Sequence, residues 1–180
     1  DVYKRQAITV LNNKGNILPL HSDKEMPPMA LLEVGDAGET DVLAKQLEKH
    51  TSLVRFRLHK EMTEAQGKVL RDSLSKYRRV IVAVAEQRLA PFQPFFAALA
   101  ADKQAAKAIY VFFTPGKMML QIHRAVSAAQ SVVLAHSAGH DVQQQVADVL
   151  FARASADGRL SASLGGLFPT GAGVTITPHT

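Results

Sequence analysis

The side chains able to do chemistry in this 180-residue sequence gather at a few short turns. Ala135-His136-Ser137-Ala138-Gly139 has the A-x-S-x-G form of a nucleophile elbow, a sharp strand-to-helix turn that presents a serine to an acyl group. That chemistry also needs a later acid and then a histidine on further strands. After Ser137 come Asp141, Asp148 and Asp157, and beyond the loop itself the histidine that remains is His179. Few residues are left for supporting strands, and Gly139-His140-Asp141 reads as a loop with Asp141 capping the next helix. A small serine hydrolase using Ser137 is kept as an alternative.

Two other turns matter. Gly35-Asp36-Ala37-Gly38 lies between a strand and a helix, where backbone N–H groups are able to meet an anion. It lacks the third glycine of the dinucleotide fingerprint and the lysine of a P-loop, so a tight turn explains it as well. Glu86 ends an apolar strand beside Gln87 and Arg88. Glu86, Asp36 and His136 are thus the candidate substrate-binding residues, all on strand-end loops, and no catalytic residue is assigned. The seven histidines show no metal-ligand spacing; His136 and His140 are four apart but in a loop, so neither a metal nor a cofactor is expected. Phe92, Phe95 and Phe96 with Pro91 and Pro94 suggest an apolar lip on a groove, or a surface packed on a neighbouring domain.

Composition removes several function classes. Apolar residues make up 47% and charged residues 21%, as in ordinary globular domains, and the length suits one domain. Cysteine is absent, which removes disulfides, thiolate metal sites and cysteine nucleophiles. The net charge of +5 is scattered over Arg55, Arg57, Arg78, Arg79, Lys103 and Lys107, without Trp and without aromatic interleaving, so no nucleic-acid surface is expected. No apolar run approaches a membrane span.

The elements that must position these turns alternate. Met29–Val34, Leu53–Leu58, Val80–Val84, Ala108–Phe113 and Ser131–Ala135 read as strands. Leu53–Leu58 alternates apolar and basic residues as an edge strand does, whereas Val80–Val84 is a continuous β-branched run covered on both faces. Helical spacing marks Glu39–His50, Thr63–Lys76, Phe95–Asp102, Met118–Ala129 and Val142–Phe151. The pattern predicts an α/β three-layer sandwich, a mostly parallel sheet flanked by helices, with its functional loops at the carboxyl ends of the strands. Ala7–Asn13 reads as the end of a helix, released at Lys14-Gly15-Asn16 into the apolar strap Ile17-Leu18-Pro19-Leu20. Asp1–Gln6 match the translation of a transposon adapter used in sequencing libraries and are set aside as a scar.

The stretch from Ala7 to Leu20 resembles the entry to the second domain of family 3 glycoside hydrolases, where a phrase like "ITLLKN" precedes "LLPL". Asp148-Val-Leu-Phe151 with Ala156-Asp-Gly-Arg-Leu160 resembles the family phrase "ADxLFGxxxPSGKLP", which ends the last helix and enters a closing strand. Phe168-Pro-Thr-Gly-Ala-Gly173 resembles the "FPxGxG" that follows, while the usual "GKLPVS" appears here as Gly158-Arg-Leu-Ser-Ala-Ser163. The resemblance divides the chain into the scar at 1–6, a helix end and interdomain connector at 7–20, the α/β sandwich at 21–164, and a closing segment with a truncated linker at 165–180.

Members of that family are retaining glycosidases that use a nucleophile and an acid/base. The resemblance implies a (β/α)8 barrel before Ala7 that holds the Asp nucleophile. In the β-glucosidase branch the second domain lends an acid/base Glu after a strand ending in "GE", and Glu86 matches only the strand-end Glu. The β-N-acetylhexosaminidase branch keeps its acid/base, an Asp–His pair, on a barrel loop. The expectation is therefore a fragment of a β-N-acetylhexosaminidase-like enzyme of carbohydrate metabolism. It comprises the non-catalytic C-terminal domain, packs on the barrel and is inactive alone. A bacteroidete-type variant would continue into a β-lactamase-like domain, and the resemblance points to the periplasm or cell envelope. The alternatives are a β-glucosidase-type domain contributing Glu86 to the sugar site and the Ser137 hydrolase.

Overall fold

Five of six strands form where the apolar runs lie, and the sixth forms where a helix end was expected. The computed structural model describes residues 7–102 and 107–178. The expected scar at 1–6, the segment 103–106 with Lys103, and 179–180 with His179 lie outside the described residues. The strands are β1 (Thr9–Asn13), β2 (Met29–Val34), β3 (Leu53–Leu58), β4 (Val80–Val84), β5 (Ala108–Phe112) and β6 (Ser131–Leu134). The helices are α1 (Asp41–Glu48), α2 (Glu64–Leu74), α3 (Gln93–Ala101), α4 (His123–Ala128) and α5 (His140–Leu150).

The sheet runs β1-β6-β5-β4-β2-β3, parallel throughout except for β1, which is antiparallel to β6. The chain steps outward from β2 to β3, then crosses back over β2 to β4 and continues in the other direction. The boundary between β2 and β4 is therefore the topological switch point. Helices α1 and α5 cover one face, burying Leu31, Ile81, Val111 and Val133 against Leu43, Leu47, Val146 and Leu150. Helices α2, α3 and α4 cover the other, where Leu32, Val82 and Tyr110 meet Leu74, Phe96, Leu99 and Val126. With both faces covered, every residue of β4 and β5 is buried, while β3 at the edge alternates.

Residues 9–13 form a strand rather than the end of a helix. Val10 is buried on the α1/α5 side and Leu11 on the opposite side, an alternation that a strand makes and a helix does not. Pairing of β1 with β6 (Thr9↔Leu134, Val10↔Val133) also covers the otherwise open edge of the sheet. A 3-10 turn over Lys14–Asn16 follows, with Gly15 and Asn16 at φ 65° and 53°. The Asn13 amide then clamps Leu18, accepting from its N–H and donating to its C=O, both at 2.9 Å. Ile17, Leu18 and Leu20 pack into the α1/α5 core, so the apolar strap is bound to this domain's own interior.

Three smaller departures follow the same logic. The expected helix over Met118–Ala129 divides into a 3-10 segment, Gly116–Ile122, and the short α4. Helix α5 begins at His140 with Gly139 as its N-cap, and Asp141 stands in the first turn instead of capping. After α5 the chain meets β1 through the isolated bridge Val10↔Val174 and pairs with itself at Ala156↔Ile176 and Leu164↔Phe168, in place of one continuous closing strand.

Candidate functional site

Asp36 and Glu86 end up as neighbours at the switch point. The turn after β2 holds Gly35 and Gly38 at φ 152° and 84°, conformations open to glycine, and Gly35 lies against Ala85 and the Glu86 backbone. The N–H groups of Ala85 and Glu86 both donate to the Val34 carbonyl, at 2.9 and 3.0 Å, which fixes the two strand ends together. The turn is not an open anion cradle, because the Glu39 side chain already accepts from the Asp36 N–H at 3.1 Å. A Cβ at Gly35 would stand 2.7 Å from the same Glu39 oxygen. With its own carboxylate in that position, the turn repels a phosphate instead of binding it. Glu86 is half-buried, and its carboxylate accepts from the Arg88 N–H at 2.9 Å. These two acids can accept hydrogen bonds from a hydroxylated ligand at this edge.

His136 lies apart from them, beyond β5 at the end of β6. Its φ of 73° is rare for a residue with a side chain. Burial pushes its pKa below 6.5, with the Ala7 carbonyl opposing that shift. It lines a cavity of about 340 Å³ with Pro115, Arg159, Ser161 and Ser163. Arg159 already donates to the Asp157 and Gly158 carbonyls and to the Thr175 hydroxyl, and so acts as a brace for the closing segment. The elbow reading of Ser137 loses its geometric basis here. The positive φ falls on His136 instead of the serine, and α5 starts three residues later, at His140.

A further enclosure is one that the sequence suggested only as an apolar lip. Pro91, Phe92, Pro94 and Phe95 line a cavity of about 330 Å³, and its other wall comes from the loop after β3 and from α2. Phe96 does not join them; it turns inward onto Tyr110, with ring centroids 6.1 Å apart. Sequence reasoning passed over the polar and charged side chains at this cavity, His59, Lys60, Glu64 and Arg71. The signal available was helical spacing, since Gly67 and Arg71 are one turn apart on the same face of α2. Among the described residues, no group of three or more His, Cys, Asp or Glu side chains is placed to hold a metal ion. No described helix is long and apolar enough to cross a membrane.

No family model and no curated protein matches the sequence. Solved structures match the fold. The chain is similar to a fungal multi-domain GH3 β-N-acetylglucosaminidase with a GCN5-related glucosamine N-acetyltransferase region, at 16% identity and TM-score 0.71. That match covers 96% of this chain and 19% of the other. A glycoside hydrolase family 3 β-N-acetylglucosaminidase from Paenibacillus sp. str. FPU-7 matches at 19% identity and TM-score 0.64, over 87% of this chain and 30% of that one. A β-glucosidase from Listeria innocua, solved with isofagomine, matches at 12% identity and TM-score 0.62, over 86% and 25%. At such identities the likeness is one of fold. The chain spans 19–30% of the length of these enzymes.

Proposed function

We propose that the chain is the supporting α/β domain of a retaining glycosidase of the family 3 type, of the β-N-acetylhexosaminidase-like branch, with its catalytic groups on a partner barrel. The observation that carries this reading is the length of the fold match. It takes in 96% of the chain against a multi-domain β-N-acetylglucosaminidase, and no compact subset of strands accounts for that coverage. The sequence motifs at both ends of the chain point the same way. The site chemistry agrees with a supporting role. Glu86 and Asp36 share the switch point, yet the nearby Glu39 is committed to the Asp36 N–H and the Glu86 carboxylate to the Arg88 N–H.

The test has two arms. The isolated chain is expected to leave nitrophenyl N-acetyl-β-glucosaminide and nitrophenyl β-glucoside unhydrolysed. The coding sequence upstream of Ala7 is expected to specify a barrel with a Lys-His-x-x-Gly-His loop. Turnover by the chain alone, or an upstream sequence without a barrel, would overturn the reading. One observation favours a second reading, the β-glucosidase type: Glu86 is half-buried in the loop just past the central strand β4, at the carboxyl edge of the sheet. In that case Glu86→Gln in the assembled enzyme would lower kcat by a factor of about a hundred or more, the usual worth of a general acid. Unchanged turnover would remove it.

A further inference from the structure

The cavity between α2 and α3 has the makings of a binding site that the glycosidase reading does not use. Its floor is apolar, formed by Leu58, Met62, Phe92 and Phe95. At about 330 Å³ it falls within the size range of small-ligand pockets. It opens at the carboxyl edge of the sheet, between the end of β3 and the loop after β4, on either side of β2. Gly67 contributes no side chain to the wall, and a Cβ there would still stand 3.6 Å from Phe95 and 3.8 Å from the Arg71 guanidinium.

The polar groups around that floor are unequal in charge. Arg71 lies over the Phe95 ring, its guanidinium carbon 5.6 Å from the centroid, and this cation–π contact holds the group at the cavity. Among the described residues its guanidinium donates to no acceptor. An arginine tethered to an aromatic ring, with its donors open, suits a carboxylate. Lys60 adds a second cation on the rim, and Glu64 is the one carboxylate. Two cations against one acid favour a singly charged anion, while Glu64 disfavours a phosphate or other polyanion.

We infer that this cavity binds a small organic monocarboxylate carrying a compact apolar group. The carboxylate meets Arg71 and Lys60, and the apolar group rests on Leu58, Met62, Phe92 and Phe95. The inference is independent of the barrel and of any glycosidase activity. The test is an amide-resolved NMR titration of the full chain with phenylacetate and, separately, with phenylacetamide. Saturable perturbations are expected at residues 58–71 and 91–98, with phenylacetate bound about tenfold or more tightly than the amide. Arg71→Gln should bring phenylacetate down to the affinity of the amide. Gly67→Leu should abolish binding of both by filling the cavity, and an unfolding midpoint no lower than the parent's verifies its fold. Three results would overturn the inference: no saturable perturbation in the millimolar range, equal binding of acid and amide, or undiminished binding by folded Gly67→Leu.

Discussion

The two faces of the sheet bury comparable cores but close in different ways. On the α1/α5 side a polar device completes the seal. Thr40, the N-cap of α1, makes no capping bond, and its hydroxyl instead donates to the Glu33 carboxylate at 2.5 Å. Gln143 of α5 replaces it from far along the chain, accepting from the Leu43 N–H at 2.9 Å. The same amide donates to the Glu39 and Ala138 carbonyls, at 2.9 and 2.8 Å, and the side chain is fully buried. On the other side α3 carries no charged residue and no side-chain cap, and it packs through Phe95, Phe96 and Leu99. Bulky rings against a twisted sheet leave space at their margins, and that face carries the Phe92–Arg71 cavity. One face spends its polar groups on closure; the other leaves them at a rim.

Breaking the sealed face should cost most. Gln143→Leu removes one acceptor and two donors at a fully buried point, leaving a helix N–H and two carbonyls unmet. Each such group costs about 1–3 kcal/mol, so a loss of at least about 3 kcal/mol is expected in chemical denaturation. A loss under about 1 kcal/mol would mean that water replaces the amide and that the seal is weaker than its geometry. Arg55 is next. It joins the Glu33 carboxylate at 2.6 Å and Asp41 at 2.5 Å, and its side chain is 37% exposed. Arg55→Leu should cost roughly 1–2 kcal/mol, a figure already reduced for solvent screening.

That substitution also has a pH signature. The hydrogen bond from Arg55 holds the Asp41 carboxyl below its ordinary 3.8 in the folded chain. A depressed folded value gives stability that is present above 3.8 and is lost as the pH falls through the lower folded value. Acid unfolding of the parent should therefore steepen below that point, and the steepening should shrink in Arg55→Leu. Identical acid limbs would show the pair to be electrostatically idle.

The central strands were legible because burial on both faces leaves one kind of residue: Val80–Val84 and Ala108–Phe112 are apolar runs of strand length, rich in β-branched and aromatic side chains. The edge position of β3 was legible from Arg55 and Arg57, which a covered strand would not hold. β1 was not legible. Over five residues, a strand with Val10 and Leu11 on opposite faces looks the same as a helix end with adjacent apolar residues. Only β6, far along the chain, decides between them. The candidate site divides similarly. Strand-end placement of Asp36, Glu86 and His136 follows from alternation, but strand order separates His136 from the other two, and local sequence does not encode that order. The trans-cap by Gln143 left no local trace at all.

On the open face the expected effects are smaller. Thr63 and Gln66 form a reciprocal capping box at the start of α2, with bonds of 3.1 and 2.9 Å. Thr63→Ala should cost about 1 kcal/mol, read as a lowered unfolding midpoint. Water reaches this cap, which is why its loss falls well below that of Gln143.

Gly67 supplies the finest comparison, because it opposes Gly173 on the question of room. A Cβ at Gly173 would lie 2.3 Å from the Gly158 carbonyl oxygen, a backbone atom that cannot move aside, so Gly173→Ala must displace the closing segment. A Cβ at Gly67 meets Phe95 and Arg71 side-chain atoms at 3.6 and 3.8 Å, ordinary contact distances. Gly67 also sits inside α2, where alanine is favoured over glycine by up to about 1 kcal/mol. Gly67→Ala is therefore expected to stabilise the chain by roughly 0.5–1 kcal/mol, a rise in denaturation midpoint with an unchanged slope. A fall instead would mean that the α2–α3 margin is as tightly packed as the α1/α5 side. The difference between the two faces would then be one of polarity alone, not of space.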